Sequence, residues 1–499
     1  MRTVLLVIGL AAFGWGETRP IKKCSDIQLA SFGSDVKIES ATLVAAKGKM
    51  PEHCDVRGVI WPENRFALEL PTEWNSRFNM VGNGGSAGVL RMELMDNALG
   101  RGFATATTDT GHDDTKEPGA SFAERSPKNT NWARKVDDFA FLAPHETAVV
   151  AKRTIQFYYG EQPRHSYWTG CSTGGRQGLM EAQRYPNDFD GIVVGAPVLD
   201  HTGTLMRHIW NGQAVQQGPG RIGAEKLPTL ARAVYGKCDA LDGLADGIIE
   251  NPLRCNFDPA IDVPKCTEYK DAPDCFTAAQ IASLKNVYGG VRNSSGKVLF
   301  PGQLPGAEIG WAGSIVGDSV GLKLAETYIR YMAFEPPPGP GWSFKDFNFD
   351  VDPQKLAGIA GKVNATSPDL NALWKRGGKV IHYHGWADQA ATALMSVHYY
   401  GAVLERFGKK ETDNFYRFFP IPGMAHCRGG PGCGEVDWLT PITNWVEKGI
   451  APDKLIGAHV ENGKATRTRP LCPFPQVARY QGSGSIDEAE NFTCVAEPR

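Results

Sequence analysis

Gly170-Cys171-Ser172-Thr173-Gly174 lies between an extended apolar run, Ser166-Tyr-Trp-Thr169, and a helix-compatible run, Gly175-Arg-Gln-Gly-Leu-Met-Glu-Ala-Gln-Arg-Tyr185. Strand, sharp turn and helix form the context in which G-x-S-x-G makes a nucleophile elbow. The glycines permit a turn too tight for side chains, so the Ser172 hydroxyl is expected to stand above the edge of a sheet. The pentapeptide alone is common by chance, and an ordinary turn serine is the alternative. Two cysteines strengthen the catalytic reading. Cys171 precedes the serine, and Cys427 follows a late histidine in Gly423-Met-Ala-His426-Cys427. A bridge between them would clamp a nucleophile to its base, so hydrolytic chemistry is the leading expectation.

Outward from the elbow, short extended runs precede it at Val56-Arg-Gly-Val-Ile-Trp61, Phe66-Ala-Leu-Glu-Leu70, Phe78-Asn-Met-Val81 and Phe103-Ala-Thr-Ala-Thr107. A helix-compatible stretch over 137–159 leads into the elbow strand, and Gly191-Ile-Val-Val-Gly-Ala-Pro197 reads as the next strand. Alternation resumes at Lys379-Val-Ile-His-Tyr-His384 and continues through a helix at 391–407, a strand at 415–419 and a helix at 437–448. This rhythm predicts an α/β fold with a mostly parallel sheet and helices on both faces. Between them the rhythm breaks, with four cysteines and the Pro-rich Glu335-Pro-Pro-Pro-Gly-Pro-Gly-Trp342. The expected division is a first core segment over 17–199, an inserted lid over 200–370 and a second core segment over 371–499.

Serine-based ester chemistry needs a base for the hydroxyl proton, an acid to orient the base and donors for an oxyanion. In an elbow fold the order is Ser, then Asp or Glu, then His. Asp388, in His384-Gly-Trp-Ala-Asp388 just past an apolar strand, is the candidate acid, and His426 the candidate base. Asp388 as a helix cap and His426 as a buried structural histidine are the bland alternatives. His382 and His384 alternate on one strand and share a face, so they could pack or hydrogen-bond near the site; they receive no chemical role. For the oxyanion, the N–H groups of Thr173 and Gly85 are the expected donors, with Gly84 next. Gly85 lies in Met80-Val-Gly-Asn-Gly-Gly-Ser-Ala-Gly88, a loop that a tight turn would also explain.

Composition narrows the class. The chain of 499 residues is 42% hydrophobic and 22% charged with net charge −2, which argues against a nucleic-acid surface or a polybasic membrane patch. Residues 1–16 read as a secretory signal: Arg2, the apolar run Val4 to Ala12, then Gly14 and Gly16. That run is about half a membrane span, so a secreted, extracellular or periplasmic, protein is expected. Eleven cysteines agree with an oxidising destination. Local spacing suggests Cys24–Cys54, Cys238–Cys255, Cys266–Cys275 and Cys472–Cys494, leaving Cys171 for Cys427. Cys433 remains over and competes for Cys427. Glycosylation-type sequons stand at Asn293, Asn364 and Asn491.

One loop in the inserted region suggests a cation. Cys238-Asp-Ala-Leu-Asp-Gly-Leu-Ala-Asp-Gly-Ile-Ile-Glu250 crowds Asp239, Asp242 and Asp246, and the carbonyls of Leu244 and Ile248 could complete an oxygen shell for Ca²⁺. The spacing is not that of an EF-hand, and a solvated acidic turn is the alternative.

Taken together, Trp74-Asn-Ser-Arg-Phe78, Gly82-Asn-Gly-Gly85, Gly170-Cys-Ser-Thr-Gly-Gly-Arg-Gln-Gly178, His384-Gly-Trp-Ala-Asp388 and Gly423-Met-Ala-His-Cys427 resemble the tannase and feruloyl esterase family, which includes mono(2-hydroxyethyl) terephthalate hydrolases. The resemblance covers nearly all of the mature chain. It implies an α/β-hydrolase core with a large lid and a triad of Ser172, Asp388 and His426. It also implies a Cys171–Cys427 bridge and a structural calcium on Asp239, Asp242, Leu244, Asp246 and Ile248. The implied substrate is a small ester of an aromatic acid, with a plant polysaccharide or polyphenol as the expected carrier and a terephthalate half-ester as the alternative. Tyr328-Ile-Arg-Tyr-Met-Ala-Phe334 looks closer to a feruloyl-type lid; Arg330 is a candidate for an acidic substrate group, with a solvated surface arginine an alternative of at least equal weight. A non-catalytic secreted binder of glycans or aromatics is the remote alternative, with no partner among nucleic acids or membranes.

Overall fold

The computed structural model describes residues 17–267 and 270–497. The expected signal segment lies outside the described residues. Nine strands build the main sheet: β1 Val36–Val44, β2 His53–Ile60, β3 Asn64–Pro71, β4 Arg77–Val81, β5 Ala104–Thr108, β6 His165–Cys171, β7 Gly191–Gly195, β8 Lys379–Gly385 and β9 Tyr416–Ile421. Their spatial order is β1-β2-β3-β5-β4-β6-β7-β8-β9. The first three strands join antiparallel, and β3 meets β5 antiparallel. From β5 to β9 every neighbour is parallel. The mostly parallel sheet read from the sequence is therefore the sheet observed.

Parallel strands buried on both faces are continuously apolar. All five residues of β7, Gly-Ile-Val-Val-Gly, are buried. Strand periodicity sends alternate residues to opposite layers. Trp168, Ile192, Val194, Val380 and Phe418 pack on one side with Ile155, Leu179 and Tyr399. Tyr167, Val193, Ile381 and Phe419 pack on the other with Ala98, Ile442 and Trp445. The covering helices are α1 Met92–Leu99, α2 Ala143–Tyr159, α3 Thr173–Arg184, α5 Leu394–Phe415 and α6 Leu439–Lys448; α4, His201–Val215, leaves β7 towards the inserted region. The α/β-hydrolase arrangement thus has α2, α3 and α5 on one face and α1 and α6 on the other.

Residues 196–378 run between β7 and β8 and hold an apolar cluster of their own, including Val215, Leu230, Phe276, Leu284 and Trp311. Two features went unread in the sequence. The edge strand β1 is mostly exposed, so burial gives it little apolar signal. After α6 the chain forms two hairpins, Leu455–Glu461 with Lys464–Leu471 and Gln476–Tyr480 with Phe492–Ala496.

Five disulfides join Cys24–Cys54, Cys171–Cys427, Cys238–Cys255, Cys266–Cys275 and Cys472–Cys494. Cys433 does not take Cys427: it is free and buried, and burial pushes its thiol up to about 11. Among the described residues no helix is long and apolar enough to cross a membrane.

Candidate active site

The site begins where β6 turns into α3. Ser172 has φ 63°, ψ −121°, in the region few non-glycine residues enter, and occupies the N-cap position of α3. Backbone strain of this kind persists only where the surroundings enforce it. Here they do. The Ser172 N–H donates to the Gly195 carbonyl of β7 at 2.9 Å, and the Gly174 N–H to the Asn83 carbonyl at 2.7 Å. A β-carbon on Gly82 would lie 2.5 Å from the Gly174 Cα, and one on Gly170 2.5 Å from the Gly174 carbonyl oxygen. Only glycine allows these backbones so near each other. The positive end of α3 also points at the serine, where it favours developing negative charge.

His426 comes from the loop after β9, and Asp388 from the loop after β8. Ser172 Oγ lies 2.9 Å from His426 Nε2, and His426 Nδ1 lies 2.7 Å from Asp388 Oδ2. An ionised carboxylate only accepts, so Nδ1 carries the proton and Nε2 is left to receive the hydroxyl hydrogen. The sequence-expected acid also makes the turn suggested as its bland role: Asp388 Oδ1 accepts from the N–H groups of Ala390 and Ala391, both at 2.8 Å. Capping its own loop and orienting the histidine use different oxygens. The Cys171–Cys427 bridge, with Cα atoms 5.9 Å apart, ties the residue before the serine to the residue after the histidine.

Electrostatics follow from burial and pairing. Burial alone would raise the Asp388 carboxyl, but the charge of a protonated His426 and the hydrogen bonds from His384 and His426 hold it well below the usual carboxylate range. Burial works to lower His426, and Asp388 outweighs it, leaving the imidazole above its ordinary 6.5. On α4, His208 is pushed down to about 3 by burial, then by Arg207 and His426. Its neutral ring belongs to the wall and not to the proton chemistry.

A cavity of about 730 Å³ opens over the serine. Gly84, Gly85 and Thr173 line it beside Ser172, and the Thr173 hydroxyl donates to the Gly85 carbonyl at 2.6 Å. Both expected oxyanion-donor residues are thus tied together beside Ser172. Val198, Leu205, Val320 and Leu324 supply apolar wall; Arg91 and Arg428 add positive charge, and among the described residues no aspartate or glutamate lines the space. Arg330 does not reach it. Its Nε donates to the Trp342 carbonyl at 2.7 Å and its guanidinium sits 3.4 Å from Glu326, while the neighbouring Tyr328 is buried against Thr202. The segment 328–334 packs in the interior, which overturns the expectation for Arg330.

The acidic loop 239–248 has an all-oxygen donor set that suits a hard cation. Burial, then repulsion from neighbouring carboxylates, raises both Asp239 and Asp242. Asp246 is partly served already, since Arg469 donates to its Oδ2 at 2.6 Å. A second convergence, His145, Glu181 and Asp188, lies away from the cavity. There His145 Nδ1 pairs with Asp188 Oδ2 at 2.6 Å, and Lys152 donates to the Asp188 carbonyl and supplies the balancing charge.

Sequence reasoning passed over His384, whose Nε2 lies 3.1 Å from Asp388 Oδ2. Its alternation with His382 was legible, but which face it shared was not.

Comparison with known proteins places these features in context. The profile of a family described as tannase and feruloyl esterase matches residues 49–495. A mono(2-hydroxyethyl) terephthalate hydrolase of Piscinibacter sakaiensis is 34% identical over 92% of this chain and 87% of its own. A probable feruloyl esterase B-2 of Aspergillus fumigatus is 32% identical over 85% of this chain and 82% of its own. The crystal structure of feruloyl esterase B from Aspergillus oryzae superposes with TM-score 0.83 at 28% identity, covering 95% of this chain and 100% of that one.

Proposed function

The chain belongs to the tannase and feruloyl esterase family and is a carboxylic ester hydrolase, and from that premise we propose that it cleaves esters of aromatic acids through an acyl-enzyme on Ser172. Ser172 Oγ attacks the ester carbonyl as His426 Nε2 takes its proton. The carbonyl oxygen becomes an oxyanion held by the N–H groups of Thr173 and Gly85. His426 then protonates the departing alcohol, leaving the acid esterified to Ser172. Water, deprotonated by the same imidazole, releases the acid and restores the serine. Asp388 keeps the imidazole in the Nδ1–H tautomer and stabilises its charge.

The observation that carries this reading is the unbroken 2.9 Å and 2.7 Å contact pair beneath an apolar cavity. Apolar walls with a few polar groups suit an aromatic acyl group. Arg91 and Arg428 at the same cavity, with the terephthalate hydrolase relative, favour a second reading in which the acid carries a free carboxylate. The physiological ester is carried on a plant polysaccharide or polyphenol, and the protein works in an oxidising, extracellular or periplasmic compartment, where its five disulfides persist. Calcium held by Asp239, Asp242, Asp246 and the carbonyls of Leu244 and Ile248 would neutralise the loop and dock it; it supplies no step of the reaction.

Ser172→Ala tests the assignment. Turnover should fall by about 10⁴-fold or more with the fold intact, and wild-type turnover in that variant ends the reading. A panel of methyl ferulate, methyl gallate, mono(2-hydroxyethyl) terephthalate and short p-nitrophenyl esters decides the acid. Activity confined to the short aliphatic esters contradicts an aromatic-acid enzyme.

A further inference from the structure

Behind Asp388 runs a buried hydrogen-bonded chain that the mechanism above does not use. Tyr416 Oη lies 2.7 Å from His382 Nδ1, His382 Nε2 lies 2.8 Å from Ser396 Oγ, and Ser396 Oγ lies 2.6 Å from His384 Nδ1. His384 Nε2 then meets both the Ala391 carbonyl at 2.9 Å and Asp388 Oδ2 at 3.1 Å. His382 and His384 come from β8, Tyr416 from β9 and Ser396 from α5, and all four are fully buried.

The direction of every hydrogen in this chain can be deduced. A carbonyl oxygen only accepts, so the His384 nitrogen facing Ala391 carries the hydrogen. In the neutral ring His384 Nδ1 is then an acceptor, and Ser396 must donate to it. Ser396 has one hydrogen, so towards His382 it accepts, and His382 also carries its hydrogen on Nε2. Its Nδ1 is left to accept from the Tyr416 hydroxyl. Each of the four side chains is satisfied once, in one sense only, with no net charge. A proton added to His382 would reverse a bond and bury a charge. Burial indeed drives His382 well below its ordinary value.

We infer that Tyr416, His382, Ser396 and His384 form a one-way donor chain that positions Asp388 and moderates the basicity of His426. The inference rests on the triad reading for its catalytic consequence, though not for its tautomers. Asp388 receives four hydrogen bonds, two on each oxygen, and its Oδ2 is shared between His384 and His426. A donor from His384 draws electron density from the oxygen that faces His426, so the imidazolium is held less tightly than by a free carboxylate. The other charged or titratable groups facing this pair are Arg207 and His208 on α4. Neither touches the chain's bonding sequence.

The test has two parts. In wild-type protein labelled with ¹⁵N-histidine, the neutral rings of both His382 and His384 should give the Nε2–H tautomer. An Nδ1–H tautomer at either ring overturns the chain, whatever the activity shows. Assignment uses His384→Gln and His384→Leu, which also give the kinetic arm. His384→Leu removes the donor and should lower kcat/KM by about 10- to 100-fold while moving its acid limb upward in pH. His384→Gln keeps a donor at the Nε2 position and should restore both. A leucine variant that is folded, as active as wild type and unshifted in its acid limb refutes the positioning role. Failure of the triad reading is seen separately, in Ser172→Ala.

Discussion

Replacing Cys171 and Cys427 together by alanine separates two things a disulfide can do. The bridge spans 256 residues, and the chain-entropy relation assigns such a loop about 5.5 kcal/mol at 25 °C, before any native-state strain. Two shorter bridges nested in that loop, spanning 17 and 9 residues, reduce its effective length, but the dependence is logarithmic and the correction is only about 0.1 kcal/mol. Stability alone would therefore fall steeply. Position matters separately, because the bridge holds Cα atoms 5.9 Å apart directly beside a 2.9 Å serine–histidine contact. Slippage of about 1 Å there costs on the order of 100-fold in rate. The control is Cys472→Ala with Cys494→Ala, a bridge spanning 22 residues, whose loss costs about 3.4 kcal/mol by the same relation. Steady-state hydrolysis of a p-nitrophenyl ester, well below both urea midpoints, should show kcat reduced about 100-fold in the first double variant and unchanged in the second. Equal kcat in both, with midpoints alone displaced, would refute the clamp. So would an unreduced peptide map joining Cys427 to Cys433.

Three further outcomes follow from the geometry. Gly82→Ala would place a methyl 2.5 Å from the Gly174 Cα and 2.8 Å from the Trp168 ring; backbone cannot yield cheaply, so melting should report a loss of about 1–3 kcal/mol together with reduced kcat, and a variant matching wild type in both contradicts the elbow packing. Because His426 acts as a base only when neutral and its value is raised above 6.5, kcat/KM should fall as pH drops through that raised value and level off above it; an acid limb centred below 6.5 would contradict the Asp388–His426 coupling. Chelation of calcium should lower the melting temperature while leaving kcat unchanged at temperatures where the fold persists, and metal analysis finding no calcium in the purified protein removes the proposed role of Asp239, Asp242 and Asp246.

The candidate site was legible because its signals are local. An elbow needs glycines around one serine, and the glycines at 82, 170 and 174 are required by backbone approaches of under 3 Å. The parallel sheet was legible for a similar reason, since strands buried on both faces leave runs such as Ile192-Val-Val194 with no polar interruption. Arg330 shows where this ends. A cation in an aromatic stretch suggests substrate binding, yet its guanidinium is shared between Glu326 one helical turn back and a backbone carbonyl 12 residues on, and nothing in the local sequence encodes the turn that brings that carbonyl near. His384 shows the same limit from the other side. Its spacing from Asp388 fixes neither the strand's facing nor the carbonyl of Ala391 that sets its tautomer. Both depend on how β8 sits between β7 and β9, with Tyr416 arriving from a strand that pairs across the sheet at Val380. Residues whose role is set by a turn of chain are read from sequence, while residues whose role is set by which strand lies alongside emerge only with the register. On that ground the wall of the cavity, formed where α1, α4 and the inserted residues 310–324 meet over the serine, is encoded in packing and not in any motif. Substitutions at Leu94, Leu205 and Leu324, which line that cavity, should accordingly shift preference among aromatic acids more than they alter turnover of a small p-nitrophenyl ester; an unchanged preference across a panel of aromatic-acid esters would contradict this.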